Sequence, residues 1–166
     1  MDAAEERRFR EFVAVRSPAL MGLAYLLTGG DQHAAEDLLQ TALAKIVDRW
    51  SKVEDPEAYV RRIMYHQQIS WWRSAWRRRE TVAAVLPEPP EYDRSPAVDL
   101  RLALRQALAR LTPRQRAVLV LRYFEDLPEK EVARIMGCSV GTVRSTAHRS
   151  LARLRALSPE FEELKP

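Results

Sequence analysis

The chain has 166 residues, 46% of them hydrophobic, with 27 Lys and Arg against 23 Asp and Glu and a formal net charge of +4. That is enough apolar material for one ordinary domain or two small ones, and too much for a disordered tail. The lone Cys138 excludes an internal disulfide, no CxxC or Cys/His spacing offers a metal site, and no leader or membrane-length apolar run is present, so a cytoplasmic chain with no metal and no cofactor is expected.

Only five glycines among many Ala, Leu and Arg point to an all-α protein. After the polar opening MDAAEERRF, the stretch FREFVAVRSPALMGLAYLL repeats apolar residues at helical spacing: Phe9, Phe12, Val13, then Leu20, Leu23, Leu27. Thr28-Gly29-Gly30 closes it in the way helices commonly end. Asp31 is placed to cap a second helix, whose apolar face is Ala35, Leu38, Leu39, Ala42, Leu43, Ile46 and Val47, ending near Trp50. Asp55-Pro56 opens a third, because Asp is a good N-cap and Pro is favoured at the first helical position.

The third helix is unusual in composition. Residues 61 to 79, RRIMYHQQISWWRSAWRRR, hold six arginines and no acid, with Tyr65, Trp71, Trp72 and Trp76 among them. Arginine tracks a phosphate backbone, and exposed rings stack on unpaired bases at roughly 1–3 kcal/mol per base, so this segment suits single-stranded or opening DNA. Large rings are also normally buried, so Ile63 and Trp71 are expected inward and Trp72 outward. Residues 31 to 57 hold seven acids against three bases, a face suited to a basic protein surface.

At TVAAVLPEPPEYDRSPAVD, residues 81 to 99, four prolines accompany acids and periodicity disappears. Proline without neighbouring glycine makes an extended, semi-stiff connector, and a domain boundary is expected there. Beyond it, residues 100 to 157 carry twelve bases against four acids, and after the tail SPEFEELKP no further domain is expected. VDLRLALRQALARL places Leu100, Leu104, Leu108 and Leu111 on one stripe. Thr112-Pro113-Arg114-Gln115 reads as a capping box, starting a helix that carries Ala117, Val118, Leu121 and Arg122.

LPEKEVARIMGCSVGTVRSTAHRSLARL then resolves into two helices. Pro128 to Met136 is the first, with Val132, Ile135 and Met136 inward and small Ala133 at the crossing. Gly137 supplies left-handed backbone for the corner, and Ser139 can cap the next helix. In that helix Val140, Val143, Ala147, Leu151 and Leu154 form the buried stripe, leaving Thr142, Arg144, Ser145, Thr146, His148, Arg149, Arg153 and Arg155 outside. A helix so decorated fits the major groove, where Arg pairs bidentately with guanine and Ser or Thr meets either base type, while the more C-terminal arginines suit phosphates. A helix-turn-helix that binds DNA is the result.

With both halves in view, the chain resembles the extracytoplasmic-function (ECF) sigma factors of bacterial RNA polymerase, in the sigma-70 family, and most of all the actinobacterial SigE-like group with SWWR and LTPRQRAVLVLRY-type segments. The order AAEDLLQTAL, PEAYVRRI with WWR, a Pro-rich acidic linker, then LTPRQRAVLVLRYFEDLPEKEVARIMGCSVGTVRS carries the resemblance. It implies two small helical domains: a region 2 type domain over 1–80, a linker over 81–99 threading toward the polymerase active centre, a region 4 type domain over 100–157, and a short tail over 158–166. Core polymerase docking would fall to Asp37, Leu38, Gln40, Thr41 and Leu43. Minus-ten recognition and melting would fall to Arg61, Arg62, Tyr65, His66, Trp72, Arg73 and Arg77, helped by the loop WSKVEDPEA. Minus-thirty-five recognition would fall to Thr142, Arg144, Ser145, His148, Arg149 and Arg153. The implied partners are core RNA polymerase, promoter DNA and an anti-sigma factor, for a protein that is a monomer when free and does not enter a membrane. Three positions depart from the pattern: Thr41 stands where an acid is common, His66 where asparagine is common, and Pro128 where a Ser or Thr cap is usual, leaving Asp126 as a substitute cap.

Two other classes compete. The C-terminal half also looks like a LuxR-type output domain, so a stand-alone regulator is the alternative; the acidic second helix and the Trp-rich third helix speak against it. An enzyme is not expected, since no Gly-rich phosphate loop is present and His33, His66 and His148 lack a nucleophile or carboxylate at motif spacing.

Overall fold

A computed structural model describes residues 1–77 and 96–158, with side chains from residue 102 onward in the second stretch. Seven α-helices follow one another: α1 (Ala3–Leu27), α2 (Gln32–Val47), α3 (Pro56–Arg77), α4 (Pro96–Arg110), α5 (Pro113–Leu119), α6 (Glu129–Met136) and α7 (Val140–Leu157). No strand occurs among the described residues. The expected connector lies outside them over 81–95, while its last four residues, 96–99, already belong to α4. Leu100, expected on the α4 stripe, has no described side chain.

Local chemistry sets the helix ends. Asp2 accepts from the Ala4 and Glu5 amides and Glu5 returns a bond to the Asp2 amide, so α1 starts earlier than its apolar pattern implies. Gly29 and Gly30, at φ 69° and 81°, take the left-handed turn out of α1. Asp31 caps α2 through the Ala34 amide, Asp55 accepts from the Ala58 amide at the start of α3, and the Thr112–Gln115 capping box forms as expected. Between α2 and α3 a short 3-10 turn, Trp50–Lys52, places the Trp50 ring against Phe9 at 5.2 Å and Phe12 at 5.4 Å between centroids, fastening the loop to α1.

After α5 the chain does not stay α-helical. Val120–Phe124 is a π-helical turn, closed by the Glu125 amide on the Val120 carbonyl, and Asp126 follows with a left-handed φ of 52°. Asp126 therefore shapes the turn and does not cap α6. Pro128 holds the N-cap position of α6 with no side-chain bond.

The two halves do not stand apart. Leu20, Leu38, Ile46, Val60 and Met64 from α1–α3 and Val118, Val120, Leu121, Val132 and Val143 from the second half belong to one continuous buried cluster. A second cluster, with Leu108, Leu111, Leu151 and Leu154, closes α4 against α7, and Leu26 of α1 leans on it. Three-helix layers this thin leave apolar surface on both sides, and each half here covers the other.

Polar groups fasten the seam. Arg61 of α3 donates through Nη1 to both Glu125 carboxylate oxygens at 2.9 and 3.0 Å, and the Tyr65 hydroxyl donates to the same carboxylate. Glu57 joins Arg61 to Arg16 of α1, extending the chain of charges. Burial opposes the charge on Arg61, but Glu57 and Glu125 outweigh it and hold its pKa above the ordinary value. Burial, then the bond to Glu125, pushes the Tyr65 phenol above its ordinary range. Arg73 donates to the Met136 carbonyl at 2.7 Å. On the opposite flank Arg105 of α4 donates to the Gly30 carbonyl at 2.8 Å and lies over the Tyr25 ring. Arg116 is buried, donates to the Leu108 and Leu111 carbonyls, and rests against Gly29; desolvation takes its pKa down to about 10, which leaves it charged at neutral pH.

Two outcomes test this packing. Leu38→Ala removes a fully buried side chain and should cost about 2–5 kcal/mol in urea denaturation. For Tyr65, an acid whose folded pKa is raised contributes stability that is whole below its unfolded value of about 10 and is lost as pH rises beyond it. Wild type should therefore lose stability above pH ~10 more steeply than Tyr65→Phe, as read from denaturation midpoints across pH.

Candidate nucleic-acid interface

The DNA-reading candidate, α7, is built as a presented cylinder. Gly137, at φ 67°, turns the chain out of α6 in a left-handed conformation that favours glycine, and a Cβ there would stand 3.1 Å from Arg73 Nη2, so any other residue would also crowd that side chain. Ser139 accepts from the Thr142 amide at 3.1 Å and starts α7. Val143, Ala147, Leu151 and Leu154 are buried as expected, with Val140 half-buried beside them.

Helical geometry divides the remaining positions into a centre and two margins. Ser145, His148 and Arg149 occupy the middle of the exposed side. The margins are tied to the chain itself. Arg144 donates to Glu129 at 2.6 Å, Arg153 donates to the Arg110 carbonyl at 3.2 Å, and the Thr142 hydroxyl pairs with that of Ser139 at 2.9 Å. Thr146, expected outside, is buried next to Ser150, whose hydroxyl donates to the Thr146 carbonyl. It sits on the side facing the core because the buried stripe is wider than the apolar residues alone suggest.

Along α3 the candidate residues separate into two groups. Arg62, His66, Arg73 and Arg77 are exposed and Trp72 is half-buried. Trp76, at 77% exposure, is the ring offered most openly to solvent, while Trp71 packs against the core as expected. Tyr65, expected to face DNA, is buried with its hydroxyl on Glu125, and Arg61 is bound to the same carboxylate. An aromatic ring in a basic run gives no sequence sign of which side it takes; the partner that draws Tyr65 inward lies sixty residues away. A groove of about 450 Å³ opens at this seam, lined by Arg61, Arg62 and Tyr65 on one wall and Phe124, Glu125 and Leu127 on the other.

On α2, Asp37 and Gln40 are exposed, and Thr41 and Leu43 are half-buried. Leu38 is wholly buried in the core, so it supports this face from beneath and cannot itself touch a partner. Glu125 and Arg105 are the residues of consequence that sequence reasoning missed. Neither has a partner at helical spacing, so no local signal marks them. Among the described residues no group of three or more His, Cys, Asp or Glu could hold a metal ion. No described helix is long and apolar enough to cross a membrane.

Comparison with known proteins follows the same division. The family described as sigma-70 region 2 matches residues 12–78, and sigma-70 region 4 matches residues 101–154. The chain is 43% identical over 154 residues to the RNA polymerase sigma-E factor of Streptomyces coelicolor, covering 91% of this chain and 86% of that protein. It is 33% identical to the ECF RNA polymerase sigma factor ShbA of Streptomyces griseus, covering 81% of this chain and 76% of that one. Among solved structures it is similar to the sigma factor RpoE in complex with the anti-sigma factor NepR from Bartonella quintana, with a TM-score of 0.65 and 26% identity over 91% of this chain and 96% of that chain. The match over 12–78 accounts for the half that a LuxR-type regulator would lack, and that alternative gains no support. A region 2 half packed on a region 4 half, with relatives of this name along nearly its whole length, makes the chain a member of the sigma-70 family, a sigma factor of the ECF type.

Proposed function

We propose that the chain joins core RNA polymerase through the exposed side of α2, contacts and helps open the minus-ten element with α3, and reads the minus-thirty-five element with α7. The observation that carries this reading is the exposed centre of α7. Ser145, His148 and Arg149 lie exposed on a helix whose corner, cap and margins are fixed by other residues; the Ser145 hydroxyl donates back to the Thr142 carbonyl at 3.2 Å, while His148 and Arg149 make no such internal bond among the described residues, so groups able to hydrogen-bond base edges are held in register. The arginines around Trp76 supply phosphate attraction beside a ring that a base can stack on.

In this reading the chain is a cytoplasmic initiation factor and not an enzyme: RNA synthesis belongs to the polymerase. It acts as a monomer, with Asp37, Gln40, Thr41 and Leu43 as the polymerase contacts. In this reading the region 2 type domain covers 1–80 and the region 4 type domain 100–157, with helix α4 beginning four residues ahead of the second limit, at Pro96. An anti-sigma protein is a further partner, by analogy with the relative solved with NepR.

Transcription from a promoter library with purified core polymerase tests the whole. Arg149→Ala should lower discrimination between the preferred and a scrambled upstream element by about 1–3 kcal/mol, measured as the ratio of binding constants of the holoenzyme; equal losses on both DNAs would rule out base reading. Asp37→Ala should reduce co-purification with core polymerase while the denaturation midpoint stays at the wild-type value.

A further inference from the structure

We propose that Glu129, the first residue of α6, is a positioning residue for promoter recognition: it holds the Arg144 guanidinium of α7 in one orientation and leaves its outer edge for a guanine rather than for the phosphate backbone. The proposal rests on the reading of α7 as the helix that meets the minus-thirty-five element. Glu129 is not among the residues assigned to that contact.

Arg144 Nε donates to Glu129 Oε2 at 2.6 Å, a bond between residues fifteen positions apart across the Gly137 corner. It takes one point of the guanidinium. Among the described residues Nη1 and Nη2 of Arg144 donate to nothing, so the fork that pairs with the O6 and N7 atoms of guanine stays open. The Arg144 side chain is 69% exposed and that of Glu129 30%, which makes the arginine the presented partner and the carboxylate the embedded one. The fold fixes where that carboxylate stands. Pro128 sets the N-cap of α6 at φ −65°, and Val132, three residues beyond Glu129, is wholly buried and prevents α6 from rolling. The carboxylate also lies in the first turn of the helix, where the aligned backbone dipoles favour negative charge.

An ion pair this exposed adds little to the stability of the fold. Its effect falls on the arginine. A long side chain that is free in solution loses rotamer freedom when it docks on a base, and one already anchored at Nε loses less. Charge acts in the same direction. An unpaired guanidinium is drawn to any phosphate, whereas one bonded to a carboxylate presents almost no net charge while keeping its base-pairing fork. Glu129 therefore lowers affinity for DNA of arbitrary sequence and sharpens the reading of one base pair.

The test uses holoenzyme assembled from core polymerase and the full chain, with a duplex element that wild type selects from a randomised pool. Each base pair of that element is changed in turn, and binding constants are read across a salt series. Glu129→Ala should lose about fivefold in discrimination at one G·C pair, bind scrambled duplex more tightly, and steepen the salt dependence by about one phosphate contact. Glu129→Gln keeps the acceptor and drops the charge, so it should steepen the salt dependence equally while retaining most of the discrimination. With Arg144→Ala already present, Glu129→Ala should cause no further loss at that pair. Equal weakening on selected and scrambled duplex, together with a lower denaturation midpoint, is what a purely structural role gives and would overturn the proposal. So would unchanged discrimination at every pair in Glu129→Ala. A wild type that selects no element overturns the reading of α7 itself, a result distinct from selection that survives the loss of Glu129.

Discussion

A carboxylate withdrawn from most of its water must find donors nearby, and Glu125 finds them in the other half of the molecule. Its side chain is 12% exposed, with Arg61 and Tyr65 supplying the hydrogen bonds that water would have given. Removing such partners from a buried charge costs far more than the pair contributes over a solvated state, so the link acts chiefly as a constraint on geometry. It sets where the turn before α6 rests on α3, and so where α6, Gly137 and α7 begin.

The apolar cluster beneath gives that geometry its free energy, and the polar groups give it an address. Val118, Val120 and Leu121 would pack against many arrangements of aliphatic neighbours; Arg61, Arg73 and Arg105 each accept only one. The contrast between the two candidate DNA helices follows. Helix α7 keeps the centre of its outer face clear because its margins are satisfied by Glu129, Arg110 and Ser139. Helix α3 spends part of its donor set on the seam.

What the sequence made legible was local. Caps at Asp31, Thr112 and Ser139, the glycine turns, the inward stripe of α7 and that of α2 as far as Ile46 all rest on neighbours within four residues, where spacing speaks directly; Val47, expected on the α2 stripe, is exposed at the helix end. The exposed positions of α7 were legible for the same reason, except Thr146, whose small hydroxyl side chain fits a buried position as readily as an exposed one. What could not be read was pairing over distance. Tyr65 looked like an outward ring until Glu125 was beside it, and Leu38 looked like part of a docking face because a stripe shows which side is apolar and not how deep each residue lies. The closing of one half on the other depends on those same distant pairs.

The π-helical turn at Val120–Phe124 bears on how this protein can vary. A π turn admits one residue more than an α turn, so everything after it is rotated by about 100° relative to an uninterrupted helix. That rotation delivers Glu125 to α3 and leaves Tyr123 and Phe124 at the surface. Deleting a single residue from this stretch would restore an ordinary helix, swing the acid away and carry a ring into its place. Indels here therefore act as a phase shift, changing the mutual orientation of the halves more than any side-chain exchange on the seam could.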